Sequence, residues 1–192
     1  MINVGAGVSL TVEHGVRVRG MGNSGLSVSG GALRVAGAPD DPVVFTGVGD
    51  DVWKGIVFHG PGAGFTFSNV VVEGAATGLR LSGCTGLLDG VTVQYCGESG
   101  LIVDSFTGTL TRCTIQNNTG PNGAGVWVRS SSIVMEECLV ASNMSMCESG
   151  EQGEGGGVHV DPLSEMWMSR TRIMDNRACR QGGGVFVRGG RV

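Results

Sequence analysis

The sequence predicts an all-β solenoid, one parallel β-helix over residues 1–192 with roughly seven rungs of 22–32 residues. A glycine followed by alternating apolar residues recurs six times: GIVF from Gly55, GLRL from Gly78, GLIV from Gly100, GVWV from Gly125, GVHV from Gly157 and GVFV from Gly184. The intervals of 23, 22, 25, 32 and 27 residues mark a repeat that must stack on its neighbours to bury a core. Behind each phrase, three columns align: Phe67, Leu88, Leu110, Met135 and Met168; Val70, Val91, Cys113, Cys138 and Thr171; Val72, Val93, Ile115, Val140 and Ile173. The last two columns lie two residues apart, the period of a pleated strand. No stretch carries a long apolar stripe at helical spacing, and the 36 glycines would weaken helices by roughly 1 kcal/mol each relative to alanine.

Taken in chain order, Pro42 in Asp40-Asp41-Pro42 keeps its predecessor extended and donates no N–H, so it belongs at a corner before the strand Val43-Val44-Phe45. Asn118, Asn143 and Asn176 share a column after the second strand and are expected to form an inward asparagine ladder, amide stacked on amide. Asp104, Arg129, Asp161 and Arg188 follow successive first strands, with Arg112, Glu137 and Arg170 as a second series. Opposite charges about 4.8 Å apart on neighbouring rungs suit ion pairs that set register. Aromatics make up only 5% of the chain, which suggests a narrow core of stacked Val, Leu and Ile.

Among six cysteines, Cys113 and Cys138 fall in an inward column and there is no CxxC pair, so neither a zinc site nor any other metal or cofactor is expected. Cys147 and Cys179 lie in turns of successive rungs, four residues after Asn143 and three after Asn176. They are a candidate disulfide, which would imply an oxidising compartment. Met144 to Gly156 forms the longest turn and carries Glu148, Glu151 and Glu154; it reads either as a solvated loop or as a partner-binding protrusion.

The outward column of the first strand, Ile102, Trp127, His159 and Phe186, is the candidate binding surface for a glycan or protein ligand. Alternation with Val126, Val128, Val185 and Val187 places Trp127 and Phe186 on the solvent side, although a loop or a neighbouring chain could cover them. Trp167 faces elsewhere, in an expected turn-packed cluster with Met166, and His14 and His59 read as isolated surface groups. If the chain is an enzyme, the carboxylates are Asp104 and Asp161, about 9.6 Å apart across the Arg129 rung and so compatible with an inverting pair. Arg129 between them opposes the protonated acid that such chemistry needs.

The net charge of −4 argues against a dominant affinity for nucleic acid or anionic membrane, and no run approaches a membrane span. No polar terminal repeat follows Gly184-Val185-Phe186-Val187-Arg188, and Met1-Ile2-Asn3 leads straight into a rung. Two readings stay open: a fragment of a longer solenoid, or an end that another chain covers by end-to-end association.

The stretches VGAGVSLTVEHGVRV from Val4, LSVSGGALRVAG from Leu26, DDPVVFTG from Asp40 and DVWKGIVF from Asp51 resemble amino-terminal rungs of bacterial proteins of the pectin-lyase-like superfamily. The later pattern of Cys, strand, Asn and glycine cluster is similar to surface repeats of polymorphic outer-membrane proteins and autotransporter-type adhesins. The resemblance implies a right-handed parallel β-helix, and an exported bacterial protein, extracellular or on the cell surface. It leaves function open between a non-catalytic module for display and recognition and a polysaccharide-active enzyme, a lyase or an inverting hydrolase.

Overall fold

A computed structural model describes residues 1–61, 63–147 and 153–192. The chain winds as a parallel β-solenoid in which each rung supplies one short strand to each of three long sheets. The first sheet has eight strands: Ile2–Val4, Leu26–Ser29, Ile56–His59, Thr77–Ser82, Ser99–Asp104, Val126–Arg129, Val158–Val160 and Val185–Val187. The second sheet runs from Ser9–Glu13 to Glu165–Ser169 and the third from Arg17–Gly20 to Arg172–Met174, seven strands each. A small fourth sheet joins Thr119–Gly120, Met144–Ser145 and Arg177–Ala178. Every strand pair is parallel and in the register that the sequence columns predict, Phe67 through Leu88, Leu110 and Met135 to Met168 included.

The core is more aromatic than the composition suggests. Phe45, Phe58, Phe65, Phe67 and Phe106 are buried, with Phe58 and Phe65 centroids 4.5 Å apart and Phe65 stacked on Phe106 at 6.0 Å. These rings fill the second, third and fifth rungs, whereas later rungs carry polar inward residues at each corner.

Three polar ladders satisfy the corner backbone, whose N–H and C=O groups turn out of the sheets and would otherwise be orphaned in the core. At the corner after the third sheet, Asn118 Nδ2 donates to Asn143 Oδ1 at 2.9 Å and Asn143 Nδ2 to Asn176 Oδ1 at 3.0 Å. Each amide also donates to a carbonyl of the preceding rung: Val93, Ile115 and Val140. The recurring glycine before the first strand makes room for this ladder. A Cβ at Gly125 would stand 2.8 Å from Asn143 Nδ2, and one at Gly157 would stand 2.8 Å from Asn176 Nδ2.

At the corner between second and third sheets, the Cys113 and Cys138 thiols donate to the Leu88 and Leu110 carbonyls, and Thr171 Oγ1 to that of Met135. The inward cysteines therefore act as ladder members as well as packing groups. Ser131 and Ser164 play the same part at the remaining corner, where Ser131 Oγ accepts the Phe106 N–H.

Burial pushes the Cys84 thiol up to about 11 and the Cys96 thiol up to about 12, and the sulfur contact with Cys138 together with burial holds Cys113 protonated. Only the thiolate attacks. Cys84, Cys96 and Cys113 are therefore expected to stay silent toward a thiol-reactive dye at neutral pH, and Cys138, whose pKa the Cys113 contact lowers, is shielded by burial alone, so that all four react only on unfolding. Rapid labelling of the native protein would contradict this packing.

The outer charges follow the expected ladders only in part: the Asp104–Arg129 and Glu137–Arg170 pairs form. Arg112 pairs with Asp89 on the second sheet, at 2.6 Å to Oδ2, and Arg170 pairs with both Glu136 and Glu137. Arg112, Glu137 and Arg170 share a corner with φ of 51°, 55° and 47°; the expected Glu137–Arg170 pair forms at 3.0 Å, whereas Arg112 turns to Asp89 instead of Glu137. The Met166 and Trp167 cluster is also corrected. Met166 is buried inside, while Trp167, one residue later on the opposite face, is 66% exposed beside Val134. His14 is exposed but not isolated; its Nδ1 lies 2.9 Å from Asp41 Oδ2, which raises its pKa above the ordinary histidine value.

Cys147 and Cys179 are joined, with Cα atoms 5.7 Å apart and a sequence separation of 32. Glu148 and Glu151 of the long turn lie outside the described residues. Glu154 is buried rather than solvated, bridged to Gln181 and bonded through its N–H to Asn122 Oδ1 at 3.0 Å. At the carboxyl end, the Arg191 N–H donates to the Ser164 carbonyl and the Arg191 carbonyl accepts the Met166 N–H, so these residues run beside the second sheet.

Candidate functional site

Register stacks Ile102, Trp127, His159 and Phe186 on consecutive rungs of the first sheet, with Asp104, Arg129, Asp161 and Arg188 in the parallel column two residues on. The expected open stripe is only partly open. Ile102 is 3% exposed and His159 is 2% exposed, whereas Trp127 and Phe186 are half-buried.

The cause of that burial lies in the turns. Gly123, Gly155 and Gly182, all at positive φ, bring the backbone back against the outward column: a Cβ on them would stand 2.7, 2.7 and 2.6 Å from the Cβ atoms of Trp127, His159 and Phe186. Each glycine precedes its aromatic residue by four positions. Alternation reports which side of a strand a residue leaves, not whether a turn then folds over it. Ile102, in register between Arg80 and Trp127, is shaded by longer neighbours.

What remains open is a chain of contacts centred on Asp161. Trp127 Nε1 donates to Asp161 Oδ2 at 2.8 Å, and His159 Nε2 lies 3.2 Å from Asp161 Oδ1. A carboxylate accepts only, so Nε2 is the donor in this contact, and the buried Nδ1 has no hydrogen-bond partner among the described residues. The His159 ring packs edge-on to Phe186 at 5.1 Å and tilted to Trp127 at 6.0 Å. Arg129 sits over the Trp127 ring at 5.1 Å and reaches Asp104 at 3.7 Å. The Arg129 to Asp161 pair of the expected ladder is absent, because Asp161 has turned to the indole and the imidazole.

Chemically this is a holding arrangement. Both Asp161 oxygens are engaged as acceptors, Asp104 faces Arg129, and the Arg129 rung separates the two carboxylates by about 9.6 Å. Among the described residues, no group of three or more His, Cys, Asp or Glu is placed to hold a metal ion.

A family model described as "Right handed beta helix region" matches residues 54–191, every rung that carries this face. The chain belongs to the right-handed β-helix family. No curated protein and no solved structure matches it.

Proposed function

We propose that this β-helix is a non-catalytic, exported recognition module of the bacterial surface type, with a glycan or protein ligand docking on the outer face of its first sheet. The observation that carries the reading is the fixed indole: Trp127 is held by Asp161 and capped by Arg129 yet left half-open on a rigid sheet. A preset aromatic surface beside charged groups suits a sugar ring or a protein side chain, since little entropy is lost on contact. The Cys147–Cys179 bridge supports an oxidising, extracellular setting. The apolar cavity of about 580 Å³ at the first rung, lined by Leu10, Val12, Val18, Leu26, Phe45 and Trp53, supports end-to-end association.

Trp127→Ala is expected to weaken ligand binding at least tenfold, about 1.4 kcal/mol, in titrations against a glycan and surface-protein panel. Trp167→Ala should leave that binding intact while removing the more exposed ring. Equal loss in both variants, or loss only in Trp167→Ala, would move the docking face to the second sheet.

A further inference from the structure

We propose that the last turn of the solenoid binds a linear anionic glycan in a polar groove that ends at Arg177. Charge is partitioned along the chain. Residues 64–169 carry three arginines against eleven carboxylates, whereas residues 170–191 carry six arginines against one, Asp175. Winding spreads these arginines around one turn: Arg170 at the corner of the second and third sheets, Arg172 on the third, Arg177 on the fourth, Arg188 after the first. Arg170 is engaged by Glu136 and Glu137, and Arg191 by Glu165. Arg172 and Arg177 are exposed, and among the described residues neither has a carboxylate within 4.0 Å.

Beside Arg177, a groove of about 530 Å³ follows the corner between the third and fourth sheets, past Asn117, Thr119, Ser142, Met144 and Asp175. Its corner residues Asn117, Ser142 and Asp175 share φ of 54°, 54° and 55°, which keeps the groove regular from rung to rung. Hydroxyl, amide and carboxylate groups repeat there about every 4.8 Å, able to pair with ring hydroxyls, and the exposed Met144 offers an apolar contact to a ring face. The planar fork of Arg177 matches a carboxylate or sulfate.

The acidic rungs behind the groove select against a densely charged partner. Duplex nucleic acid, with one charge per roughly 1.7 Å of axis, would overlap them. A glycan with sparse charges can set one at the arginines and lay its hydroxyls along the rest.

Electrophoresis of the intact protein through gels containing hyaluronate, heparin or neutral dextran tests this, the first two separating carboxylate from sulfate recognition. Retardation by hyaluronate or heparin but not dextran is expected. It should fall at least tenfold in Arg177→Gln, and by roughly threefold for each ion pair on raising salt from about 50 to about 200 mM. Arg19→Gln, at the far end, and Trp127→Ala should retain it, which separates this groove from the docking face on the first sheet. Lack of retardation by both anionic glycans, undiminished retardation of a folded Arg177→Gln protein, or tighter binding of duplex DNA would each overturn the proposal.

Discussion

Replacing Asn143 by alanine is expected to destabilise the fold by about 3 to 5 kcal/mol, at the upper end for a single substitution. The side chain is fully buried and makes four bonds at once. Its Oδ1 accepts from the Asn118 backbone N–H at 3.0 Å and from Asn118 Nδ2 at 2.9 Å, while its Nδ2 donates to the Ile115 carbonyl at 2.9 Å and to Asn176 Oδ1 at 3.0 Å. Truncation strands the Asn118 backbone N–H and the Ile115 carbonyl, while Asn118 Nδ2 keeps the Val93 carbonyl and Asn176 Oδ1 keeps the Asn143 N–H, and each buried orphan costs roughly 1 to 3 kcal/mol. Gln94→Ala is the matched control. Gln94 belongs to an amide chain on the outer face, bonded to Glu73 and Gln116, and its loss should cost at most about 0.5 kcal/mol because water replaces the partners. Chemical denaturation followed by circular dichroism gives both values; equal midpoints for the two variants would mean that the inner ladder contributes no more than surface pairing.

Reduction of the Cys147–Cys179 bridge is expected to destabilise the chain by about 3 to 4 kcal/mol, from the loop entropy released when a separation of 32 residues is no longer closed. The effect should be greatest in the last rungs, because contacts in a solenoid join only adjacent repeats. Hydrogen exchange should therefore quicken from Gly153 onward on adding reductant, with the rungs before Gly100 little changed. The double variant Cys147→Ser, Cys179→Ser should reproduce the shift without reductant. An unfolding transition indifferent to reductant would contradict a bridge that restrains the fold.

These features were readable to different degrees, for a common physical reason. In a stacked solenoid the lateral neighbour lies one repeat away, so aligning repeats aligns contacts. That is why the column of Phe67 to Met168, the alignment of Asn118, Asn143 and Asn176, and the pairing of turns at Cys147 and Cys179 could be expected from spacing alone. Solvent exposure does not stack in that way. His159 is covered because Gly155 folds a turn over it, whereas Trp167, on the opposite face of its strand from the buried Met166, is open. The glycine four positions before Trp127, His159 and Phe186 was the available signal. Charge pairing was also beyond the columns. The choice of Asp161 between Arg129 and the Trp127 indole depends on side-chain reach, and the left-handed corner at Arg112, Glu137 and Arg170 carries Asn69 and Gly90 earlier in the same column, a residue preference visible only once the corner is located.

The two classes of function differ in what they ask of Asp161. A recognition module uses it to hold Trp127 and His159, each of its oxygens engaged by one of them, whereas an inverting hydrolase would need it opposite Asp104 across the Arg129 rung. The decisive measurement is prolonged incubation with acidic and neutral polysaccharides, assayed for new reducing ends and for unsaturated ends. A recognition module yields none above the level of Asp161→Ala. New ends that disappear in a folded Asp161→Ala protein would contradict the account and make the first sheet an active site.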